Sequence, residues 1–226
     1  MAEQLGFNLP SRPALGRDAF FVSPSNAVAL AMIDQWQTWA GGKLVLTGPT
    51  GAGKTHLAHV WAEMSGARII PAQALTKEDV PDLATQHVAV EDVPEISGDR
   101  EAETALFHLH NLALAEGFRV LFTGTAPVAQ WPIGLPDLKS RLQGTTSAML
   151  DAPDDALLAA LLVKLFSDRQ LMPKPDLIPY LLPRMDRSFS AAIALVERLD
   201  AASLAQKRPL TRQLAAAVLD KDRPEA

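Results

Sequence analysis

The chain has 226 residues, a formal net charge of −5 and no cysteine. Its length suits one large domain or a medium domain with a small one, and the lack of cysteine excludes disulfides, thiolate metal sites and thiol nucleophiles. The negative charge argues against a large contact surface for nucleic-acid phosphates. Because the chain opens on Met-Ala-Glu-Gln-Leu, with neither a basic start nor an apolar run, we expect a cytoplasmic protein without membrane contact.

Residues 1–17 are interpreted as an N-terminal tail, since prolines at positions 10 and 13 interrupt it and no periodicity is sustained. Leu5, Phe7 and Leu9 alternate, so an extended segment would present all three on one side. Such a stripe can dock in an apolar groove of a partner, or the tail can fold back on its own domain, and spacing alone leaves both open.

The next segment predicts a helix capped by Ser23 or Ser25, with an apolar face at Val28, Met32, Ile33, Trp36 and Trp39. The run of residues 20–22 precedes this helix. Phe21 and Val22 can lie against a nucleotide base, or they can simply pack.

The strongest motif matches the phosphate-binding pattern GxxxxGK[ST]. Residues 43–47 before it predict a strand and residues 56–65 after it a helix, which is the context that the motif requires. The glycines let successive N–H groups point into one anion-sized hollow at the helix N-terminus. Lys54 would reach the β- and γ-phosphates and Thr55 would hold Mg²⁺. The motif consists of Gly48, Pro49, Thr50, Gly51, Ala52, Gly53, Lys54 and Thr55.

A short apolar segment follows at residues 67–70, and residues 87–92 then predict a buried strand that ends in Glu91 and Asp92. In phosphate-loop enzymes acids at this place lie beside the metal and the attacking water. We assign Glu91 to the metal side and Asp92 to the water side; the alternative is a strand end with solvated charges.

The rest of the chain divides near residue 152. Before it we predict a helix over residues 101–117 with Gly117 as its C-cap, a strand over 119–123, a short helix over 135–142 and a last strand over 145–150. After it no strand pattern remains, and helices are predicted at about 154–169, 175–184, 188–205 and 210–220. The expected fold is an α/β core with a parallel sheet, followed by a small all-helical lid.

Together these features resemble the AAA+ ATPases, and several motifs resemble the Hda family of DnaA-related proteins in particular. They are Gly-Lys-Thr-His-Leu at 53–57, the acidic pair, Leu-Lys-Ser-Arg-Leu at 138–142, the lid stretches at 184–188 and 198–203, and Gln-Leu-Gly-Phe-Asn-Leu at 4–9, which is similar to the hexapeptide that docks on the DNA polymerase sliding clamp. The resemblance implies a tail at 1–17, an AAA+ core at 18–152 and a lid at 153–226.

It also implies a function: a negative regulator of replication initiation that binds ADP or ATP with Mg²⁺. The protein would dock on the clamp β subunit and present Arg141 to the nucleotide of a DnaA molecule as an arginine finger, where the alternative is a salt-bridged surface arginine. The docking residues would be Gln4, Leu5, Phe7 and Leu9. His56, Phe21, Val22 and Arg187 would join the phosphate loop around the nucleotide.

Three departures from the family pattern predict weak intrinsic ATPase activity. Glu91 replaces the usual Asp, Thr125 stands at the sensor-one position, and the sensor-two arginine position falls on Ser190, with Arg187 three residues earlier. The alternative function is a self-hydrolysing AAA+ ATPase or loader that acts on DNA or a replicative helicase. The working ligand, ADP or ATP, and assembly into a homo-oligomer are left open, and we expect no direct sequence-specific DNA binding.

Overall fold

The structure is a computed structural model that describes residues 21–206 and 208–220. A five-stranded sheet, entirely parallel, forms its centre, in the order β2-β3-β4-β1-β5. The predicted tail motif Gln4, Leu5, Phe7 and Leu9 lies outside the described residues. The strands are β1 (Lys43–Thr47), β2 (Arg68–Pro71), β3 (Val88–Glu91), β4 (Val120–Gly124) and β5 (Ser147–Met149).

Strands β4 and β1 lie in the buried middle of the sheet. All five residues of β4 are buried, and β1 pairs with it over its full length, from Lys43 opposite Val120 to Thr47 opposite Gly124. Strands buried on both faces are the expected state of a parallel sheet with helices on either side. The edge strand β2 forms at the segment for which the sequence predicted only an apolar run, because its backbone pairs with β3.

Helices cover both faces of the sheet, and alternate residues of each strand point to opposite faces. On one face α1 (Ala27–Asp34) and α2 (Lys54–Ser65) pack on Leu44, Leu46 and Leu121. On the other face α3 (Val80–Leu83), α4 (Arg100–Ala115) and α5 (Pro136–Gln143) pack on Val45, Val90 and Phe122. Gly117 follows α4 with a φ of +84°, and Phe118 N–H bonds to Ala113 O, which is the predicted glycine ending of that helix.

The first helix differs from its prediction. It ends at Asp34, so Trp36 and Trp39 lie in and after a following 3₁₀ turn, and Val28 is 67% exposed. The buried face is Ala29, Leu30 and Ile33. Neither predicted serine caps the helix: its N-cap residue is Asn26, whose side chain accepts from Ser23 N–H instead.

The C-terminal part is all helical, as predicted, and has a core of its own. Its helices are α6 (Asp155–Asp168), α7 (Leu177–Leu181), α8 (Phe189–Gln206) and α9 (Arg212–Asp220). Asp154 caps α6 by accepting from Leu157 N–H at 2.8 Å. The predicted α/β class with a parallel sheet and a helical lid is confirmed. Within the described ranges no helix has the length and apolar character needed to cross a bilayer.

Gly124, the last residue of β4, generates a stability prediction. A Cβ there would lie 2.4 Å from the Trp131 ring and 2.9 Å from Pro94 Cδ, so both neighbours would have to shift. We expect Gly124→Ala to lower the free energy of unfolding by about 1–3 kcal/mol, as overpacking of a tight core does. Chemical denaturation measures this change.

The matched control is Gly144→Ala. Gly144 has a φ of −80°, and its nearest new contact would be 3.4 Å from Ser140 O. Its effect should stay within about 0.5 kcal/mol, as at an ordinary surface position. Equal losses for the two variants would contradict the packing argument.

Candidate functional site

The phosphate loop connects the central strand β1 to the N-terminus of α2. Gly48, Gly51 and Gly53 have φ values of +149°, +75° and +101°, which side-chain-bearing residues rarely adopt. At Gly48 space is decisive as well, since an added Cβ would lie 2.3 Å from the Leu150 carbonyl oxygen. The loop therefore brings backbone N–H groups and the positive end of α2 to one place, which is an anion-binding arrangement.

Lys54 lies inside this loop. Its Nζ donates to the carbonyl oxygens of Gly48 at 2.8 Å and Pro49 at 3.0 Å, and the residue is only 7% exposed. Burial lowers the pKa of the ammonium, while the negative charges of Asp92 and Glu91 act in the opposite direction. An additional anion here would compensate the burial of the charge.

The acidic pair lies at the carboxyl end of β3, next to the end of β4. Asp92 has a φ of +54°, and its N–H donates to Thr123 Oγ1 at 3.0 Å. Glu91 Oε1 is buried and accepts no hydrogen bond from the described part of the chain. Among the residues described, no three His, Asp or Glu side chains cluster as a metal site. An unpaired carboxylate oxygen with an exposed Thr55 hydroxyl suits Mg²⁺ that takes further ligands from a nucleotide.

Thr123 is the threonine that contacts this acidic turn. It is 1% exposed, within β4, whereas Thr125 lies exposed beyond the strand end. The prediction that Thr125 stands at the sensor-one position concerns a nucleotide and stays a prediction. The polar residue inside an otherwise apolar strand was the signal for Thr123, because such a hydroxyl needs a partner.

The lid touches the phosphate loop directly. Phe189 N–H, at the start of α8, donates to Gly51 O at 3.0 Å. A Cβ on Gly51 would lie 2.3 Å from Ser188 Cβ, and one on Gly53 would lie 3.3 Å from the Phe189 ring. The glycines of the loop thus serve the lid contact as well as the hollow itself.

Arg187 is engaged elsewhere in the lid. Its guanidinium pairs with Asp155 at the start of α6 and donates to Pro153 O at 3.2 Å. Ser190, the predicted sensor-two position, is exposed, and its hydroxyl lies 3.2 Å from Ser188 Oγ. The lid therefore places hydroxyl groups beside the loop, while its nearby arginine ties the lid to its own first helix.

The segment predicted to meet a nucleotide base is linked to the phosphate loop through the connection that follows β5. Phe21 and Val22 are 40% and 58% exposed. Ser25 O accepts from Asp151 N–H at 3.0 Å, which joins this segment to the connection between β5 and the lid. That connection includes Leu150, the residue against which Gly48 packs. His56 lies half-buried in the first turn of α2.

Arg141 lies at the opposite end of β1. It is exposed on α5, and its guanidinium makes no ion pair or hydrogen bond with residues 21–206 or 208–220. Its carbonyl oxygen accepts from Lys43 Nζ at 3.0 Å and from Thr145 Oγ1 at 2.8 Å. Lys43 begins β1 and the phosphate loop follows its end, so about 13 Å of strand separates them. The structure therefore does not bring Arg141 to its own phosphate loop.

Lys43 has a second partner in His110. Its Nζ lies 3.1 Å from His110 Nε2, and His110 Nδ1 lies 2.9 Å from Asn111 Oδ1. Because an ammonium only donates, Nε2 accepts and the proton of the neutral ring is on Nδ1. Burial lowers the pKa of His110, and the charges of Lys43 and Arg141 add to this against the Asn111 hydrogen bond. His110 is thus held neutral beside the cations.

This arrangement predicts how stability depends on pH. In the unfolded chain His110 takes up a proton near pH 6.5, whereas in the folded protein it does so only at lower pH. The contribution of His110 to the free energy of unfolding is therefore complete above about pH 6.5 and declines as the pH falls below it. His87 contributes with the same sign, because burial and then Arg119 lower its pKa. We expect His110→Gln, which accepts from Lys43 without titrating, to reduce the loss of unfolding free energy between pH 7.5 and 5.5. The slopes of unfolding free energy against pH should differ between the variant and the unchanged protein by no more than about 1.4 kcal/mol per pH unit.

Urea denaturation across that pH range measures the slope. His108→Gln is the control, because His108 lies exposed on the same helix. If His110→Gln retained the slope of the unchanged protein, His110 would not be the group that titrates.

Comparisons with known proteins agree with this architecture. Residues 154–219 match the family model described as the Hda lid domain. The chain is similar to domain III of the replication initiation protein DnaA from Thermotoga maritima, with a TM-score of 0.81 and 17% identity over 94% of this chain and 98% of that one. AMPPCP-bound DnaA from Aquifex aeolicus matches with a TM-score of 0.69 and 18% identity, over 86% of this chain and 67% of that one.

The fold is shared more widely. The Holliday junction branch migration motor RuvB from Thermotoga maritima matches with a TM-score of 0.73 and 16% identity, over 91% of this chain and 71% of that one. At these identities the likeness to solved structures shows the AAA+ fold. The lid match relates residues 154–219 to the Hda lid domain.

Proposed function

We propose, from the premise that the chain is a Hda-like, DnaA-related AAA+ protein, that it regulates replication initiation by stimulating ATP hydrolysis in DnaA. In this proposal it acts in trans while docked on the DNA polymerase sliding clamp. The observation that carries the proposal is Arg141: its guanidinium is exposed, makes no ion pair with the described residues and is separated from its own phosphate loop by the length of β1.

The chain's own site suits an adenine nucleotide, ADP or ATP. The loop from Gly48 to Thr55 would hold the phosphates, Lys54 would balance their charge, and Thr55 and Glu91 would hold Mg²⁺. A bound nucleotide supplies anionic charge at the seam between sheet and lid. The hydrogen bond from Phe189 N–H to Gly51 O makes the lid position sensitive to the state of this loop.

Weak hydrolysis by the chain itself is consistent with the geometry. The guanidinium of Arg187 is paired with Asp155, and Ser190 offers only a hydroxyl from the lid. An AAA+ site that hydrolyses its nucleotide needs positively charged groups that contact the transferred phosphoryl group. Lys54 is the cation inside the described loop, and Arg141 lies too far along the sheet to add a second one to the same phosphates.

Arg141 suits the role of a finger offered to a neighbour. A guanidinium stabilises the charge that develops on a transferred phosphoryl group, and such a contact raises hydrolysis by about three to five powers of ten. Because no acid in the described part of the chain pairs with Arg141, the guanidinium gives up no ion pair there when it makes that contact. The DnaA nucleotide is the substrate in this proposal.

Clamp docking is proposed for the tail residues Gln4, Leu5, Phe7 and Leu9. Their support is the alternation of apolar side chains and the resemblance of the hexapeptide to clamp-docking segments. Docking would raise the local concentration of the finger near DnaA at the replication machinery, which is the general effect of a second binding site.

Nucleotide binding is tested with Lys54→Ala. Removing the ammonium leaves phosphates without their cation, so we expect the affinity for Mg²⁺–ADP to fall at least tenfold. Titration calorimetry measures it. Lys77→Ala, a change at an exposed lysine outside the loop, is the control. Unchanged affinity of Lys54→Ala would show that the loop does not bind nucleotide.

The regulatory function is tested by phosphate release from DnaA–ATP in the presence of DNA-loaded clamp. We expect the unchanged protein to accelerate release. Arg141→Ala should lose at least a hundredfold of this stimulation, and Arg141→Lys should recover little of it because a lysine lacks the planar fork. A Leu5→Ala/Phe7→Ala double variant should lose stimulation through failure to dock. Lys139→Ala, on the same helix, is the matched control.

The second candidate function is a self-hydrolysing ATPase or loader, which the likeness to a RuvB motor favours. The same assay separates the two, since a motor hydrolyses ATP alone or with DNA. If DnaA is not stimulated while this protein turns over ATP unaided, the regulatory proposal is wrong.

A further inference from the structure

A buried carboxylate outside the nucleotide site remains without a role in the proposed function. Glu103 is 1% exposed on α4, on the face that also buries Leu106 and His110. No lysine or arginine of the described ranges pairs with it. Burying a charge is costly unless hydrogen bonds compensate it, so this residue must be doing something that an apolar residue cannot.

The carboxylate of Glu103 accepts hydrogen bonds from three backbone N–H groups. Glu103 Oε1 accepts from Gly98 and Gly134, each at 2.9 Å, and Oε2 accepts from Leu135 at 2.6 Å. Hydrogen bonds to a carboxylate are stronger than those between neutral groups, and this carboxylate accepts three of them. Each oxygen is therefore used, and no water or cation is needed to explain the group.

The three donors come from two distant segments. Gly98 follows the turn that begins at the acidic pair, and Gly134 and Leu135 lead into α5. Leu135 is the N-cap residue of α5, so the negative charge also faces the positive end of that helix. Glu103 thereby fixes the entry of the helix that carries Arg141.

The connection between β4 and α5 is braced next to this point. Trp131 is 2% exposed, and its Nε1–H donates to Ala126 O at 2.6 Å. Its ring packs against Gly124, with Pro94 on the same glycine. With Lys43 and Thr145 bonded to the Arg141 carbonyl, α5 is held at both ends.

We propose that Glu103 is a positioning residue for Arg141, which holds the finger helix at the angle that a partner's nucleotide requires. This inference rests on the proposed function. Arg141 lies six residues beyond Leu135, or about 9 Å along the helix axis, so tilting the helix at its entry displaces the guanidinium. Displacements of about 1 Å cost catalysis about a hundredfold.

The test uses Glu103→Gln in the full chain, with Glu101→Gln as the matched control. A glutamine keeps the size of the side chain, but its amide nitrogen cannot accept. We expect faster hydrogen exchange at Gly134 and Leu135 and a maximal stimulated rate at least tenfold lower. The concentration that gives half-maximal stimulation should stay unchanged, because docking is not affected. Glu101 is exposed on the same helix, and its variant should behave as the unchanged protein.

A double variant shows whether Glu103 acts through Arg141. In the Arg141→Ala background, Glu103→Gln should cause no further loss of stimulation, since the effects of two substitutions that act through one group are not additive. If both changes lowered the rate independently, Glu103 would have a different role. If Arg141→Ala alone retained full stimulation, the proposed function would fail, and that outcome is distinct from a failure of the positioning proposal.

A second pair of variants keeps the test decisive if Glu103→Gln does not fold. Leu135 has a φ of −77°, which suits proline, and Leu135→Pro removes one donor while the carboxylate stays. Leu135→Ala loses the same side chain but keeps the N–H group. Lower stimulation by Leu135→Pro than by Leu135→Ala supports the proposal, and equal stimulation overturns it.

Discussion

The parallel pairing of β1 with β4 fixes the positions of the other elements. Five consecutive residues of each strand are paired in register, and all of them except the half-buried Lys43 are buried. At one end of this pair the phosphate loop leaves β1, and Thr123 of β4 holds the backbone of Asp92. At the other end Lys43 holds the last turn of α5. Both candidate functional regions are therefore positioned by the same two strands.

The two ends carry different electrostatics. At the phosphate loop the Lys54 ammonium donates to two backbone carbonyl oxygens, and the negative charges of Asp92 and Glu91 act on it. At the other end Lys43, Arg141 and the neutral His110 lie together, and no acid of the described residues pairs with Arg141. The buried ammonium of the loop suits an anionic ligand held in the loop itself, whereas an exposed guanidinium without an acidic partner among the described residues suits an anion brought by a partner.

Hydrogen bonds to buried polar groups fix the positions of several connecting segments. Glu103, Thr123 and His110 each lie where periodicity predicts an apolar residue, and each binds a backbone or side-chain group of another element. Such groups are costly unless they are fully hydrogen-bonded, so their bonds specify one arrangement of the segments that they join. The lid adds contacts of another kind, in which Ser188 and Phe189 pack against glycines that have no room for a side chain.

Sequence patterns were enough to predict the phosphate loop with its flanking strand and helix, the parallel α/β class and, to within a few residues, the helices of the lid. These features depend on local periodicity, glycine conformation and capping, which a linear pattern contains. The tertiary structure was needed to show that residues 68–71 form an edge strand, that Val28 faces solvent and that Thr123 contacts the acidic turn. It alone also separated Arg141 from the phosphate loop, paired Arg187 with Asp155 and gave Glu103 three backbone partners. Each of these outcomes depends on groups from distant parts of the chain, and neither spacing nor composition specifies which of them meet.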